Sequence, residues 1–385
     1  MTRALRVLHI ASGDLWAGAE VQAFTLMSQL NRMPETEVAA VLMNEGTLAD
    51  KLRSAGIGVY VTDESEMGAL RIFATLRKVM RTWRPHLIHT HRAKETILGC
   101  LGNRTSRNVP SVRTAHGARE QVGATGWRGV RHRLIDEADR YCGRMLQQRV
   151  IAVTGELGAR LADEFAVEKI VVIENGIDAD AVSQKKGLAE FRAADPEATH
   201  VGIAGRLAEV KRVDLFVEAA ALLLQECPDR RWRFHVFGDG PKRESLEELA
   251  KRLQLGENMK FHGHRLDIET CVGGLDALVI SSDHEGMPMI ALEAAVLGVP
   301  TVAHAVGGLV EVVPAEFLVS RHSASGYKDG ILRAVRTDAR MIAAGRAAET
   351  VTRFSAQRNA QRVRLLYEDV LAERAGKGKE GRRAE

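Results

Sequence analysis

Apolar residues fall along this chain in two alternating patterns. Short, nearly continuous apolar runs end in small or polar residues, and between them lie longer stretches whose apolar positions recur every three or four residues. The first pattern is that of a buried parallel strand, the second that of an amphipathic helix. Strands are thus predicted at Arg6–Ala11, Glu37–Met43, Gly58–Thr62, His86–Thr90, Ser111–Ala115, Val150–Thr154 and Ile170–Glu174. Helices are predicted at Ala69–Trp83, Ala93–Arg104 and Trp127–Gln148. Another opens after the loop Ser12–Glu20, where Val21, Phe24, Thr25, Ser28 and Leu30 alternate apolar and polar faces.

A second series follows, with strands at His200–Ala204, Arg233–Phe237, Asn258–His262, Ala277–Ser281 and Thr301–His304. Its helices are predicted at Asp214–Glu226, Lys242–Leu253 and Met289–Leu297. Alternation of this period builds doubly wound parallel sheets. The expected class is therefore α/β, with two Rossmann-like domains at 1–183 and 198–350 and a mixed polar linker at 184–197. A helix within 351–373 comes after the second sheet is complete and is placed to cross back and brace the first domain. Residues 374–385 are charged and lack large apolar groups, which predicts disorder.

Composition changes this picture little. A chain of 385 residues exceeds one ordinary core and fits two domains. Lys and Arg number 54 against 50 Asp and Glu, a balance that speaks against a nucleic-acid partner. Cys100, Cys142, Cys227 and Cys271 show no spacing of a zinc or redox pair, as expected of structural thiols in a reducing compartment. No apolar run reaches the roughly 18 residues of a membrane span. The amino end enters a strand without a signal-peptide pattern, so a cytoplasmic protein is expected.

In open parallel sheets ligands bind beyond the carboxyl ends of strands. The richest such end is Asp283–Gly308. The chain turns through Asp283-His284-Glu285-Gly286 and enters a helix at Pro288, where a missing N–H costs nothing. Free backbone N–H groups from about Met287 to Ala291, with the positive end of the helix dipole, make an anion site. Glu285 and Glu293 flank it. Two carboxylates cannot neutralise a phosphate, so they fit hydroxyls of a polyol, and the combination points to a sugar joined to a nucleotide. The plainer reading is a capped helix whose glutamates face solvent.

The other strand ends carry Gly18-Ala19-Glu20, His89-Thr90-His91, His116-Gly117, Gly205-Arg206-Leu207 with Lys211, and Gly238-Asp239-Gly240-Pro241. If the two edges face each other, they form a cleft, a favoured place for ligands. Gly18 equally permits close strand–helix packing. His89 and His91 share a face, which could suggest metal, but with no third ligand nearby a structural pair fits better. Arg206 and Lys211 straddle a helix start, where the dipole disfavours cations, so a bound anion is indicated. Asp178-Ala179-Asp180 matches a metal-binding D-x-D pattern, but its place at a domain exit makes that a coincidence.

These motifs occur in the order Gly-Ala-Glu, Thr114-x-His116-Gly117, Asn175-Gly176-Ile177-Asp178, Gly205-Arg206-Leu207 with Lys211, Gly238–Pro241, and Glu285-Gly286-x-Pro288 with Leu292-Glu293-Ala294. In that order they resemble the retaining glycosyltransferases of family 4, over about Arg6 to Tyr367. The resemblance implies a GT-B fold, two Rossmann-like domains facing each other across a cleft. It assigns the donor sugar to Glu285, assisted by backbone N–H groups of Gly286, Met287, Pro288's neighbourhood and Met289. It assigns the ribose to Glu293 and the diphosphate to Arg206 and Lys211 beside Gly205. His116 would contact the sugar near the reacting carbon, and Gly18 would let the first loop approach phosphate and acceptor. Ala17, Arg212 and Met287-Pro288 depart from the family's usual residues, Arg212 standing where glycine is frequent.

The implied reaction is transfer of a hexosyl group from a nucleoside diphosphate sugar (UDP- or GDP-sugar) to a hydroxyl with retained configuration, without metal or cofactor. A GT-B nucleotide-sugar epimerase is the alternative. A nicotinamide dehydrogenase is disfavoured, because Gly13 to Gly18 lacks the Gly-x-Gly-x-x-Gly fingerprint. For the acceptor, residues 101–149 hold ten arginines and no lysine, with Trp127 among them. That points to a glycan or lipid-linked acceptor and an anionic membrane surface, although a solvated helical face explains it equally.

Overall fold

The computed structural model describes the chain except residues 1–3, 14–15, 118–125, 186, 188 and 382–385, and the side chains of 126–128 and 377–381. Asp14 in the first loop and Glu120, and the side chains of Trp127 and Arg128, therefore lie outside the described residues. The chain divides into two compact units, Met1–Gly176 with Ala356–Glu385, and Ile177–Ser355.

The first unit holds a seven-stranded parallel sheet of order β3-β2-β1-β4-β5-β6-β7. Its strands are β1 Leu5–Ala11, β2 Thr36–Leu42, β3 Gly58–Val61, β4 Leu87–Thr90, β5 Ser111–Ala115, β6 Arg149–Ala152 and β7 Ile170–Val172. Strands buried on both faces read as unbroken apolar runs, and Val7, Leu8, Ile10, Val41 and Leu42 are fully enclosed. The helix predicted at 127–148 starts at Gly126 and ends at Tyr141, followed by a π-helical turn at Cys142–Leu146. Cys142 there meets Cys100 thiol to thiol, a pairing their sequence spacing did not reveal.

The second unit holds a six-stranded parallel sheet of order β10-β9-β8-β11-β12-β13. Its strands are β8 Thr199–Ala204, β9 Trp232–Phe237, β10 Met259–Gly263, β11 Ala277–Ile280, β12 Thr301–His304 and β13 Leu318–Val319. In both sheets the strand order reverses once, at β1/β4 and at β8/β11, and such a switch point opens a crevice at the carboxyl ends.

Two boundaries differ from the sequence reading. The units part between Gly176 and Ile177 rather than at 183, and the expected linker 184–197 belongs to the second unit. Within it the helix Glu190–Ala194 seats Phe191 against His235, ring centroids 4.1 Å apart. Arg192 bonds Gly274 O at 2.9 Å and Asp276 at 2.6 Å. One aromatic and one arginine thus anchor a segment whose composition looked like a connector.

The closing helix Ala356–Gly381 belongs to the first unit. Val363, Leu366, Tyr367 and Val370, spaced for one helical face, are buried there. Asn359 donates to Glu174 O at 2.6 Å, and Tyr367 meets His89 at 2.5 Å. The helix runs on to Gly381, into the charged stretch expected to be disordered. Lys, Glu, Arg and Ala propagate a helix well, which offsets their lack of a packing face.

Candidate functional site

The carboxyl edge of the second sheet is built by backbones in close contact. Gly238, at φ +124°, follows β9, and a Cβ there would stand 1.9 Å from Gly205 O. Gly205 N–H donates to Phe237 O at 3.0 Å, and Leu207 N–H to Asp239 O at 2.9 Å. The Gly205-Arg206-Leu207 and Gly238–Pro241 turns are therefore one piece. Leu207 is buried and Arg206 projects exposed from it.

On the far side of the switch point the helix Met289–Val296 opens with Pro288 as its N-cap, one residue later than expected. Ala291 N–H is taken by Pro288 O at 3.1 Å, so the anion site is the turn before it. The Glu285-Gly286 loop is held from behind by Gly307-Gly308. Gly308 N–H donates to Gly286 O at 2.7 Å, and a Cβ on Gly307, at φ +54°, would lie 1.9 Å from Glu285 O. Gly286, Met287 and Met289 are buried, so only their backbone is available to a ligand.

Between these two loops the structure joins Lys211 to Glu285, Nζ to Oε1 at 2.5 Å. The same oxygen accepts from Ser282 Oγ at 2.6 Å. Ser282 was not singled out by the sequence, and neither was the pairing of the two site residues. Ser281 Oγ donates to Lys211 O and Arg212 O at 2.9 and 2.8 Å, tying the cation's backbone to the end of β11. Arg212 itself has φ +47°, the left-handed region, which explains why glycine suits that position. It is retained by Asp214, at 2.9 Å. Asp283 accepts from His322 at 2.9 Å, and His304 donates to Ser282 O at 3.0 Å, so two histidines back the loop.

Glu293 lies in the second turn of its helix, 4% exposed. Burial, with the Glu269 carboxylate nearby, pushes its pKa up from 4.5 to about 8, and Lys185 opposes the rise. Such a carboxyl is largely protonated at neutral pH and can both donate to and accept from a diol. A folded-state pKa above the unfolded value means stability is fully present below pH 4.5 and is lost as pH rises through about 8. Glu293→Gln removes this dependence. The melting-temperature gap of the variant over wild type is expected to widen by several degrees between pH 5 and pH 9. Parallel profiles would show that Glu293 carries its charge in the fold.

In the first unit Gly18 opens the helix Gly18–Arg32 and is exposed, rather than lying in the loop before it. Glu20 in its first turn pairs with Arg92. His116 follows β5. The third histidine judged missing near His89 and His91 is present: His9, directly opposite His89 across β1 and β4. Ring nitrogens of His9, His89 and His91 lie within 4.8 Å of one another, all buried. Their rings are stacked at 14–34°, so the lone pairs run side by side instead of converging on one point. They form a hydrogen-bonded chain. His9 Nδ1 meets His91 Nε2 at 3.0 Å, and His91 Nδ1 meets His116 Nε2 at 3.2 Å. Burial lowers His9 to about 3 and His116 to about 4, which keeps His116 a neutral hydrogen-bonding group at physiological pH. A cavity of about 10 Å³ beside it is lined by Gln22, His91, Thr114, Asn175 and Asn359, room for one water or hydroxyl.

Asp178 caps the helix Ala179–Gln184, its side chain accepting from Ala181 N–H at 3.1 Å. That accounts for one half of the D-x-D pattern.

Two family models match this chain. Residues 16–181 match Glycosyltransferase Family 4 and residues 198–337 match Glycosyl transferases group 1. The chain is 28% identical over 283 residues to the 2-deoxystreptamine N-acetyl-D-glucosaminyltransferase of Streptomyces fradiae, covering 68% of this chain and 64% of that protein. It is 26% identical to the D-inositol 3-phosphate glycosyltransferase of Actinosynnema mirum, covering 94% of this chain and 90% of that one. Among solved structures, Anabaena HepE in complex with UDP-glucose superposes with a TM-score of 0.80 at 20% identity, covering 95% of this chain and all (100%) of that one. A sucrose-phosphate synthase from Thermosynechococcus elongatus superposes with a TM-score of 0.76 at 18% identity, over 96% of this chain and 100% of the other.

Proposed function

The chain belongs to the group 1 glycosyl transferases of family 4 and has their GT-B fold, and from that premise we propose that it moves a hexosyl group from a nucleoside diphosphate sugar to a hydroxyl, with retention of configuration and without a metal ion. The observation that carries this reading is the Lys211–Glu285 pair at the switch point, between exposed Arg206 and the opening turn of the Met289–Val296 helix. Arg206, Lys211 and that turn would bind the diphosphate and stabilise the charge that grows as the anomeric carbon–oxygen bond breaks. Glu285 would hold sugar hydroxyls through the oxygen that Lys211 and Ser282 leave. Glu293 would hold the ribose. The acceptor hydroxyl would bond to the anomeric carbon on the face the phosphate leaves, giving its proton to a phosphate oxygen. His116 would act as a neutral hydrogen-bonding group.

Two cations in place of a divalent ion make transfer insensitive to chelation. Activity is expected to survive excess EDTA, with an axial donor bond giving an axial product bond by proton NMR. Loss in EDTA with rescue by Mn²⁺, or an inverted product, contradicts this part of the proposal.

The named relatives act on D-inositol 3-phosphate and 2-deoxystreptamine, both ring polyols, which favours a cyclic polyol acceptor beside the glycan or lipid-linked class. Among the described residues no helix is long and apolar enough to cross a membrane. Surface contact is a separate matter. Val130, Leu134, Tyr141 and Met145, at helical spacing, are exposed, Leu134 and Met145 by 65% each. Arg131, Arg133, Arg140 and Arg144 lie among them, while Arg113 is withdrawn into the core by Asp139 at 2.8 Å. We propose that this stripe rests on anionic lipid. Co-sedimentation with anionic vesicles is expected and should weaken with salt, since screening sets in within about 10 Å at 0.1 M. Equal binding to neutral vesicles, or none, removes the idea.

A further inference from the structure

Three buried or half-buried histidines cross the second sheet in a line the donor site does not use. His200 lies on β8, His235 on β9 and His262 on β10. His200 Nδ1 meets His235 Nε2 at 2.9 Å, and His235 Nδ1 meets His262 Nε2 at 2.9 Å. The far end is anchored, since His200 Nε2 lies 2.8 Å from the carbonyl oxygen of Asp195. Phe191 covers the line, its ring 5.1, 4.1 and 6.1 Å from the three imidazoles in turn.

A carbonyl oxygen only accepts, so His200 Nε2 carries the proton and donates. A neutral imidazole has one N–H, so His200 Nδ1 accepts from His235 Nε2–H. His235 Nδ1 then accepts from His262 Nε2–H. The last nitrogen, His262 Nδ1, is left as a lone pair. Burial lowers all three below the ordinary histidine range, His235 to about 2 and His262 to about 4, with Lys260 and Arg265 reinforcing the effect at His262. The chain is therefore neutral and its direction is fixed from one end.

That end is at the carboxyl edge of the sheet. Gly263, next in sequence, accepts from Gly238 N–H at 2.7 Å, and Gly238 packs on Gly205. The loop after His262 leads directly into the helix Ile268–Gly273, whose Glu269 is close enough to raise the pKa of Glu293. A ribose held at Glu293 would thus project its base towards the loop that begins at His262.

We propose that His262 Nδ1 is a fixed acceptor that selects the donor's nucleobase, favouring a base with a ring N–H flanked by carbonyl chemistry (uracil or guanine) over one presenting a ring lone pair there (cytosine or adenine). This rests on the donor site proposed above. Lone pair against lone pair leaves both buried acceptors unpaired, whereas an N–H satisfies them.

The test is calorimetry with UDP, CDP, GDP and ADP on the full chain. Wild type should prefer UDP to CDP by about tenfold or more. His262→Leu, which keeps the volume and removes the acceptor, should bring the two within about threefold. His262→Gln can donate to His235 and still accept, and should retain most of the preference. Long-range ¹H–¹⁵N spectra should show His262 protonated at Nε2 and bare at Nδ1. An unchanged UDP/CDP ratio in His262→Leu, or the opposite tautomer, overturns the assignment of His262 alone. Failure of wild type to bind any nucleoside diphosphate overturns the donor site on which it rests.

Discussion

Glu285→Ala is expected to cut turnover by roughly 100- to 1,000-fold while leaving affinity for the bare nucleoside diphosphate undiminished. The carboxylate sits in the loop ahead of the anion-binding turn, 9% exposed, with Lys211 and Ser282 both on Oε1. Contacts near the reacting carbon matter most in the transition state, so their loss falls on turnover. The diphosphate has no use for a carboxylate. Releasing Lys211 from its pair leaves that cation freer to meet phosphate, so affinity for the diphosphate should hold or rise. Glu293→Ala should behave oppositely, weakening diphosphate and full donor alike. If Glu285→Ala loses the diphosphate while Glu293→Ala keeps it, the two roles are reversed.

Lys211→Ala and Arg206→Ala should each weaken the nucleoside diphosphate by about 10- to 100-fold, the worth of one charge-assisted hydrogen bond. Their effects on the fold should differ. Arg206 is exposed, and its removal should leave the melting temperature unchanged. Removing Lys211 strands a carboxylate that is 9% exposed, and melting should fall at pH 7. Adding Glu285→Ala to Lys211→Ala should recover part of that loss, the signature of a coupled pair. Diphosphate affinity that survives both single replacements would remove the proposed clamp.

Most of the fold was legible because strands buried on both faces leave continuous apolar runs. Ser111–Ala115 and Thr301–His304 coincide with the observed β5 and β12, and most others shift by a residue or two. β13 escaped notice because Leu318–Val319 is too short to form a run. The segment around Glu190–Ala194 was misread because a single aromatic, Phe191, anchors it, and composition averages such a residue away. The site residues were visible as strand-end chemistry, but their partnerships were not. Lys211 and Glu285 are 74 positions apart, and His9 joins His89 only because β1 and β4 are neighbours at the switch point. A signal for His9 did exist, one histidine inside an otherwise apolar first strand, and only the strand order gives it meaning. The frequent glycine after Lys211 likewise becomes intelligible once Arg212 is seen at positive φ.

The most direct measurement is a panel of UDP-, GDP- and ADP-sugars offered to the purified protein in EDTA, with nucleoside diphosphate release and the fate of the sugar followed together. The account predicts that one uridine or guanosine donor is consumed, that diphosphate is released with the sugar's anomeric configuration retained, and that Glu285→Ala abolishes the release. Conversion of the donor sugar to an epimer, or no turnover and no binding of any donor by the wild-type protein, would contradict it.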